Sequence, residues 1–166
     1  TVALATALDH AALTYCQAQQ QGKESAIQEH FKESFFFRCL HEALKLRKEE
    51  LGPWHVDTVD TLQHLALLFM LTGRPARAAE HYVEVVRLRH AIFGPNHPST
   101  AVTAHCLGNA YLQSHDTVAA EEWYDFALSI YNHMELPSGN PAVAKLLRDR
   151  RNLERVERWK DENPAD

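Results

Sequence analysis

Eleven histidines and three cysteines are the residues of this 166-residue chain best suited to holding a metal or moving a proton. Their spacing serves neither purpose. There is no His-Glu-x-x-His run, no pair of histidines four apart on one helical face and no carboxylate at ligand spacing from two of them, so no metal site is expected. Cys16, Cys39 and Cys106 are odd in number, lie far apart and form no Cys-x-x-Cys pair. They read as free thiols of a reducing compartment, which implies a cytoplasmic location. His105-Cys106 is the one adjacent nucleophile-like pair, but neighbours on a helix point in different directions and no third group orients them. Neither an enzyme nor a cofactor is expected. His55 and His97 occupy the same kind of loop, and their recurrence marks them as histidines that bond nearby backbone.

That recurrence belongs to a longer one. Leu51-Gly52-Pro53-Trp54-His55-Val56 returns 42 residues later as Phe93-Gly94-Pro95-Asn96-His97-Pro98, and the offset persists downstream. Leu65-Ala66 maps onto Leu107-Gly108, Phe69 onto Tyr111, Ala78 onto Ala120, Tyr82 onto Tyr124 and Leu88 onto Ile130. Leu62, Leu65, Ala66 and Phe69 fall on one stripe of an α-helix, as do Ala78, Tyr82, Val85 and Leu88. Gly73-Arg74-Pro75 separates them, with Gly73 suited to a left-handed residue after the first helix and Pro75 to the first turn of the second. Each repeat is therefore a helical hairpin, helix A followed by helix B. Oxygens of Asp57-Thr58 and Ser99-Thr100 are placed to cap each helix A. Ala66 or Gly108, and Ala78 or Ala120, let paired helices approach closely.

Phe36, Leu40, Ala43 and Leu46 continue the helix B stripe one period upstream. Leu8, Ala12 and Tyr15 supply its helix A, but twelve extra residues intervene in the polar stretch from Gln17 to Glu33, which predicts a longer helix or a loop. Within Phe35-Phe36-Phe37, Phe36 belongs to the packing stripe, leaving Phe35 and Phe37 to meet the insert or a partner. Downstream, Asn140-Pro141 opens a last helix A from about Ala142 to Lys160 that lacks a helix B before Pro164. It resembles a terminal cap of a repeat array. Its run Arg148, Arg150, Arg151, Arg155 and Arg158 interleaves with Asp149, Glu154 and Glu157, as on a solvated, salt-bridged helix face. The domain plan is an irregular first repeat over 1–50, repeats at 51–92 and 93–134, and a capping helix and tail over 135–166.

Composition agrees. Gly and Pro number only 6 and 7, which disfavours a turn-dense β domain, and a net charge of −5 gives no electrostatic reason to bind nucleic acid. No apolar run is long enough to enter a membrane as a span. The opening at Thr1 without a leader-like segment reads as a fragment of something longer.

These residues resemble tetratricopeptide repeats. The period, with Leu46-Arg47 before Leu51-Gly52-Pro53-Trp54-His55 and Leu88-Arg89 before Phe93-Gly94-Pro95-Asn96-His97-Pro98, is similar to the kinesin light chain subclass, although Val56 replaces the usual proline. The resemblance covers roughly Phe36 to Val156. It implies an all-α tetratricopeptide-repeat superhelix of antiparallel hairpins with a C-terminal capping helix, whose helices A line a concave face. The residues opposite the packing stripes are then the candidate peptide-binding surface. They are Asp60, Gln63, Leu67, Met70 and Leu71 in one repeat, Val102, His105, Asn109, Leu112 and Gln113 in the next, and Lys145, Arg148, Asn152 and Arg155 in the cap. Asn109 matches an asparagine of the family's helix A pattern. The expected function is an adaptor-like protein-interaction module holding a short peptide with acidic and apolar residues. One alternative is a self-assembling scaffold, a homo-oligomer joined through Trp159, Leu153 or the phenylalanine run. Another is a substrate-recognition subunit of a ubiquitin ligase.

Overall fold

The computed structural model describes residues 2–20 and 26–162, without the side chains at 12, 15–20, 26–34, 156, 157 and 159–161. Seven helices and no strand occur among the described residues: α1 (Val2–Gln20), α2 (Ala26–Glu50), α3 (Val56–Leu71), α4 (Pro75–Phe93), α5 (Pro98–Gln113), α6 (Thr117–His133) and α7 (Pro141–Glu162). The chain forms two compact units, one reaching to Leu88 and the other starting at Arg89. No described helix is long and apolar enough to cross a membrane.

In the first unit α1 and α2 pair as a hairpin and α3 packs against both. The extra residues of the first repeat lengthen its helices: Gln17–Gln20 continue α1 and the stretch from Ala26 to Glu33 opens α2, while 21–25 lie outside the described residues. The Ala12 and Tyr15 side chains, expected in the α1 stripe, also lie outside them. Leu62, Leu65, Ala66 and Phe69 of α3 are buried, as are Ala78, Tyr82, Val85 and Leu88 of α4. Burial of each large apolar side chain contributes about 1.5–3 kcal/mol, so these stripes account for much of the hairpin's cohesion. The phenylalanine run is used differently from expectation. Phe37 packs its ring on Phe69, 4.7 Å between centroids, and carries the Arg74 guanidinium on its face. Phe35 is the exposed member and meets Phe36 edge-on.

The second unit repeats this scheme, with α5 and α6 paired and α7 packed on both. Its core joins Ala101 and Ala104 of α5, Ala120, Tyr124, Ala127 and Ile130 of α6, and Val143, Leu146 and Leu153 of α7. Leu153 is fully buried in it. Leu153 therefore offers no surface for the self-assembly considered above, because its contacts are spent holding α7 in place; Trp159 lies outside the residues whose side chains are described.

Loop geometry follows the repeat with one correction. Gly52 and Gly94 adopt φ of +87° and +90°, a backbone that only glycine takes without strain. Behind them the cap of helix A is the histidine ring itself rather than an aspartate or serine oxygen. His55 Nδ1 accepts from the Asp57 amide and His97 Nδ1 from the Ser99 amide, both at 3.2 Å. The Thr58 hydroxyl instead turns back to donate to the Gly52 carbonyl at 2.9 Å, which removes it from the capping role. Both histidines do bond nearby backbone, as their recurrence implied.

A buried arginine links each helix B to the following helix A. From the end of α2, Arg47 donates to the Asp57 carbonyl at 3.1 Å and to the Thr61 hydroxyl, both on α3. One period later, Arg89 donates to the Ser99 carbonyl at 3.0 Å and to the Thr103 hydroxyl at 2.6 Å on α5. In the first unit the guanidinium also pairs with Asp9 of α1 at 2.7 Å, with side-chain exposures of only 5% and 10%. Asp9 takes a second bond from His64 Nδ1 at 2.6 Å. Burial alone would raise the Asp9 pKa, but the hydrogen bonds and charges of His64 and Arg47 outweigh it and hold the carboxyl below its ordinary range. Arg47→Met should lower the unfolding free energy by about 3–5 kcal/mol, since it strands a buried carboxylate. Adding Asp9→Asn should recover part of that loss in urea titrations; a double variant no more stable than Arg47→Met would contradict the pairing.

Candidate functional site

The side chains named as a binding row are presented unequally by their helices. On α3 of the first unit, Asp60, Gln63, Leu67, Met70 and Leu71 are each half-buried. In the second unit Val102 and Gln113 are exposed, Asn109 and Leu112 half-buried, and Lys145, Arg148, Asn152 and Arg155 of α7 exposed. Leu112 leans on the core cluster, which takes part of its apolar surface away from any ligand. His105 departs furthest from the expected row. It is 7% exposed and gives its Nε2 to Asp149 of α7 at 2.8 Å, so it works between helices instead of facing outward.

The second unit thus gathers a polar cluster at the seam of its three helices. The His105 ring meets Tyr124 of α6 edge-on, 5.8 Å between centroids, and the Tyr124 hydroxyl donates to Asn109 Oδ1 at 2.6 Å. Burial, with the nearby Asp149 charge, pushes the Tyr124 hydroxyl well above its ordinary pKa, so it remains a donor. Asp149 and Tyr124 were not among the residues picked from the sequence as ligand contacts. No local pattern signals the His105–Asp149 bond, which joins residues 44 apart. The corresponding seam of the first unit is closed by Asp9 and His64, with carboxylate and imidazole exchanged between successive A helices.

Gly108 makes this seam possible. A methyl group built there would lie 2.5 Å from Cε1 and 2.6 Å from Cδ1 of Tyr124, a severe overlap with a fully buried ring. The expected close approach of α5 and α6 is therefore literal at this position.

Charge pairing on α7 runs to other helices as well as to solvent. Asp149 serves His105, while Arg150 Nε meets Asp125 of α6 at 3.0 Å and its Nη2 lies 3.9 Å from Glu121. The salt-bridged face expected within α7 is in these cases a set of ties to its neighbours. Arg148 and Arg155 are left on the exposed side. A cavity of about 440 Å³ lies elsewhere on α7, lined by Ser138, Ala144, Leu147, Arg150, Arg151 and Glu154. Arg150 is already engaged by α6, so polar groups do not converge there on a ligand. Among the described residues no group of histidine, cysteine and carboxylate side chains is arranged to hold a metal.

Two consequences can be measured. Gly108→Ala should destabilise by about 1–3 kcal/mol through overpacking, although alanine is the better helix former by about 1 kcal/mol; an alanine variant at least as stable as the parent would contradict the contact. For His105, burial lowers the pKa, the Asp149 hydrogen bond and charge oppose this, and Lys145 adds to the lowering; the net value lies below the ordinary 6.5. As pH falls through 6.5, the unfolded chain takes up this proton before the folded chain does, and stability is lost on acidification. Urea titrations between roughly pH 7 and pH 5 should therefore show His105→Gln losing less stability than the parent. Equal losses would contradict the assignment.

Known proteins share this architecture. Residues 57–133 match the family model described as tetratricopeptide repeat. None of the curated proteins matches the sequence. Among solved structures, a Podosopora anserina protein described as a kinesin light chain with nearly identical TPR-like repeats aligns over 98% of this chain and 71% of its own, with a TM-score of 0.75 at 19% identity. Its Q17M form aligns over 96% and 76%, with a TM-score of 0.71 at 19% identity. BtubC (BKLC) from P. vanneervenii aligns over 81% of this chain and 59% of its own, with a TM-score of 0.59 at 20% identity. The repeated hairpins, the family match over residues 57–133 and these likenesses agree on the fold: helical hairpins of the tetratricopeptide-repeat type, similar to those of the solved kinesin light chain repeats.

Proposed function

We propose that this chain is a non-enzymatic adaptor module that holds a short peptide segment of a partner protein along the exposed face of α5 and α7. The observation that carries this reading is one row of the second unit. Val102, Asn109 and Gln113 follow one another on α5, while Lys145, Arg148, Asn152 and Arg155 follow one another on the exposed side of α7. Such a row combines carboxamides that can hold a peptide backbone with cations that favour acidic side chains. Tetratricopeptide repeats are in general protein-interaction modules, which supports an adaptor role, and the cytoplasmic location follows the cysteine pattern of the sequence. The partner's contacting segment would combine acidic residues with apolar ones, the latter meeting Val102 and the open part of Leu112. The half-buried α3 row, with Leu67 and Met70, is the first unit's own candidate contact surface.

The test is binding of a peptide selected on the parent protein from a random-peptide display library. Asn109→Ala and Arg148→Glu should each weaken binding by about tenfold, the loss expected for one polar anchor, with little change in melting temperature. Unchanged affinity in both variants, or a library that yields no binder, would contradict the reading.

A further inference from the structure

The second hairpin differs from the first at two adjacent positions that face the same tyrosine of helix B. Where α3 and α4 carry Ala66, Leu67 and Tyr82, α5 and α6 carry Gly108, Asn109 and Tyr124. Removing the methyl at 108 lets the Tyr124 ring lie against the α5 backbone, where an alanine Cβ would overlap it at 2.5 Å. From that seat the hydroxyl of a residue with no exposed surface reaches Asn109 Oδ1 at 2.6 Å. A phenolic hydroxyl buried in this way must spend its proton on an acceptor, and the carboxamide oxygen supplies one. With Oδ1 turned inward to Tyr124, the Nδ2 amino group is the end of the half-buried Asn109 that remains for an incoming group.

From this geometry we propose that Tyr124 is a specificity-determining residue that fixes Asn109 as a hydrogen-bond donor, so that this point of the α5 row accepts a carbonyl or carboxylate oxygen of a ligand and rejects an N–H. The proposal rests on the peptide reading above for its ligand and on the hairpin alone for its mechanism. An asparagine free to rotate about its last bond serves donors and acceptors alike. One held by a buried phenol discriminates, because presenting Oδ1 outward would leave the hydroxyl proton unpaired in the core. The first hairpin lacks this discrimination, since Leu67 can neither give nor take a hydrogen bond.

Two measurements separate the mechanism from the ligand reading. In the free protein, Tyr124→Phe keeps the ring and removes only the hydroxyl. The Asn109 carboxamide 13C and 15N resonances should move clearly while those of the exposed Asn152 stay in place; an unmoved Asn109 would overturn the proposal. With a library-selected peptide at about 0.5 M salt, where charge repulsion is screened to within about 5 Å, Asn109→Asp should bind at least tenfold more weakly than the parent and more weakly than Asn109→Ala. Tyr124→Phe should lose a fewfold. Binding by Asn109→Asp as tight as the parent's would overturn the proposal while leaving the peptide reading intact. A library without binders would overturn the peptide reading and the ligand half of this proposal, and the carboxamide resonances would still decide whether Tyr124 sets the direction of the amide.

Discussion

A buried guanidinium bonded to the start of a helix A is the interaction on which the remaining geometry of each unit depends. Arg47 and Arg89 each stand at the end of a helix B and reach a backbone carbonyl and a threonine hydroxyl in the first turns of the following helix A. Polar groups of this kind are expensive to bury, so the bonds that each guanidinium does make to a carbonyl and a hydroxyl hold it in one place against the start of helix A. Register is thereby fixed by chemistry as well as by the shape of apolar stripes. The histidine caps act at the same junction, since His55 and His97 settle where helices α3 and α5 begin. Everything presented further along those helices inherits that starting point.

Within the second unit this registration has a consequence for the candidate surface. With α5 placed, Gly108 admits the Tyr124 ring, Tyr124 holds Asn109, and His105 ties α5 to Asp149 of α7. Arg150 adds the link from α7 to α6. These inward-facing bonds consume the polar groups nearest the core and leave Lys145, Arg148, Asn152 and Arg155 on the outside. The cation row is thus what remains after the structural charges have been paired.

Much of this was legible in the amino-acid order. A 42-residue recurrence of Gly-Pro-x-His with helical apolar spacing is a local signal, and it located six of the helices and the small residue at 108. It also singled out His55 and His97 as backbone-bonding. Long-range polar pairs were not legible. Asp9 with His64 and His105 with Asp149 join residues 55 and 44 apart, and a histidine on a helix looks the same in sequence whether it faces solvent or a neighbouring carboxylate. The same blindness put His105 in the outward row and assigned the caps to Asp57 and Ser99, because side-chain direction at a helix start depends on loop backbone that a residue pattern does not encode. Phe37 was misjudged for a related reason, its partner Phe69 being on another hairpin. The stripe on α1 was hard to place because the repeat is lengthened where both of its helices run on.

The central claim is that the outward row of α5 and α7 receives a partner's polypeptide. Backbone amide chemical-shift mapping with a bound peptide tests it most directly. The largest changes are expected at Val102, Asn109 and Gln113 on α5 and at Lys145, Arg148, Asn152 and Arg155 on α7, with α6 little affected. Changes centred on Glu122, Asp125 and Ser129 of α6, with α5 and α7 silent, would contradict it.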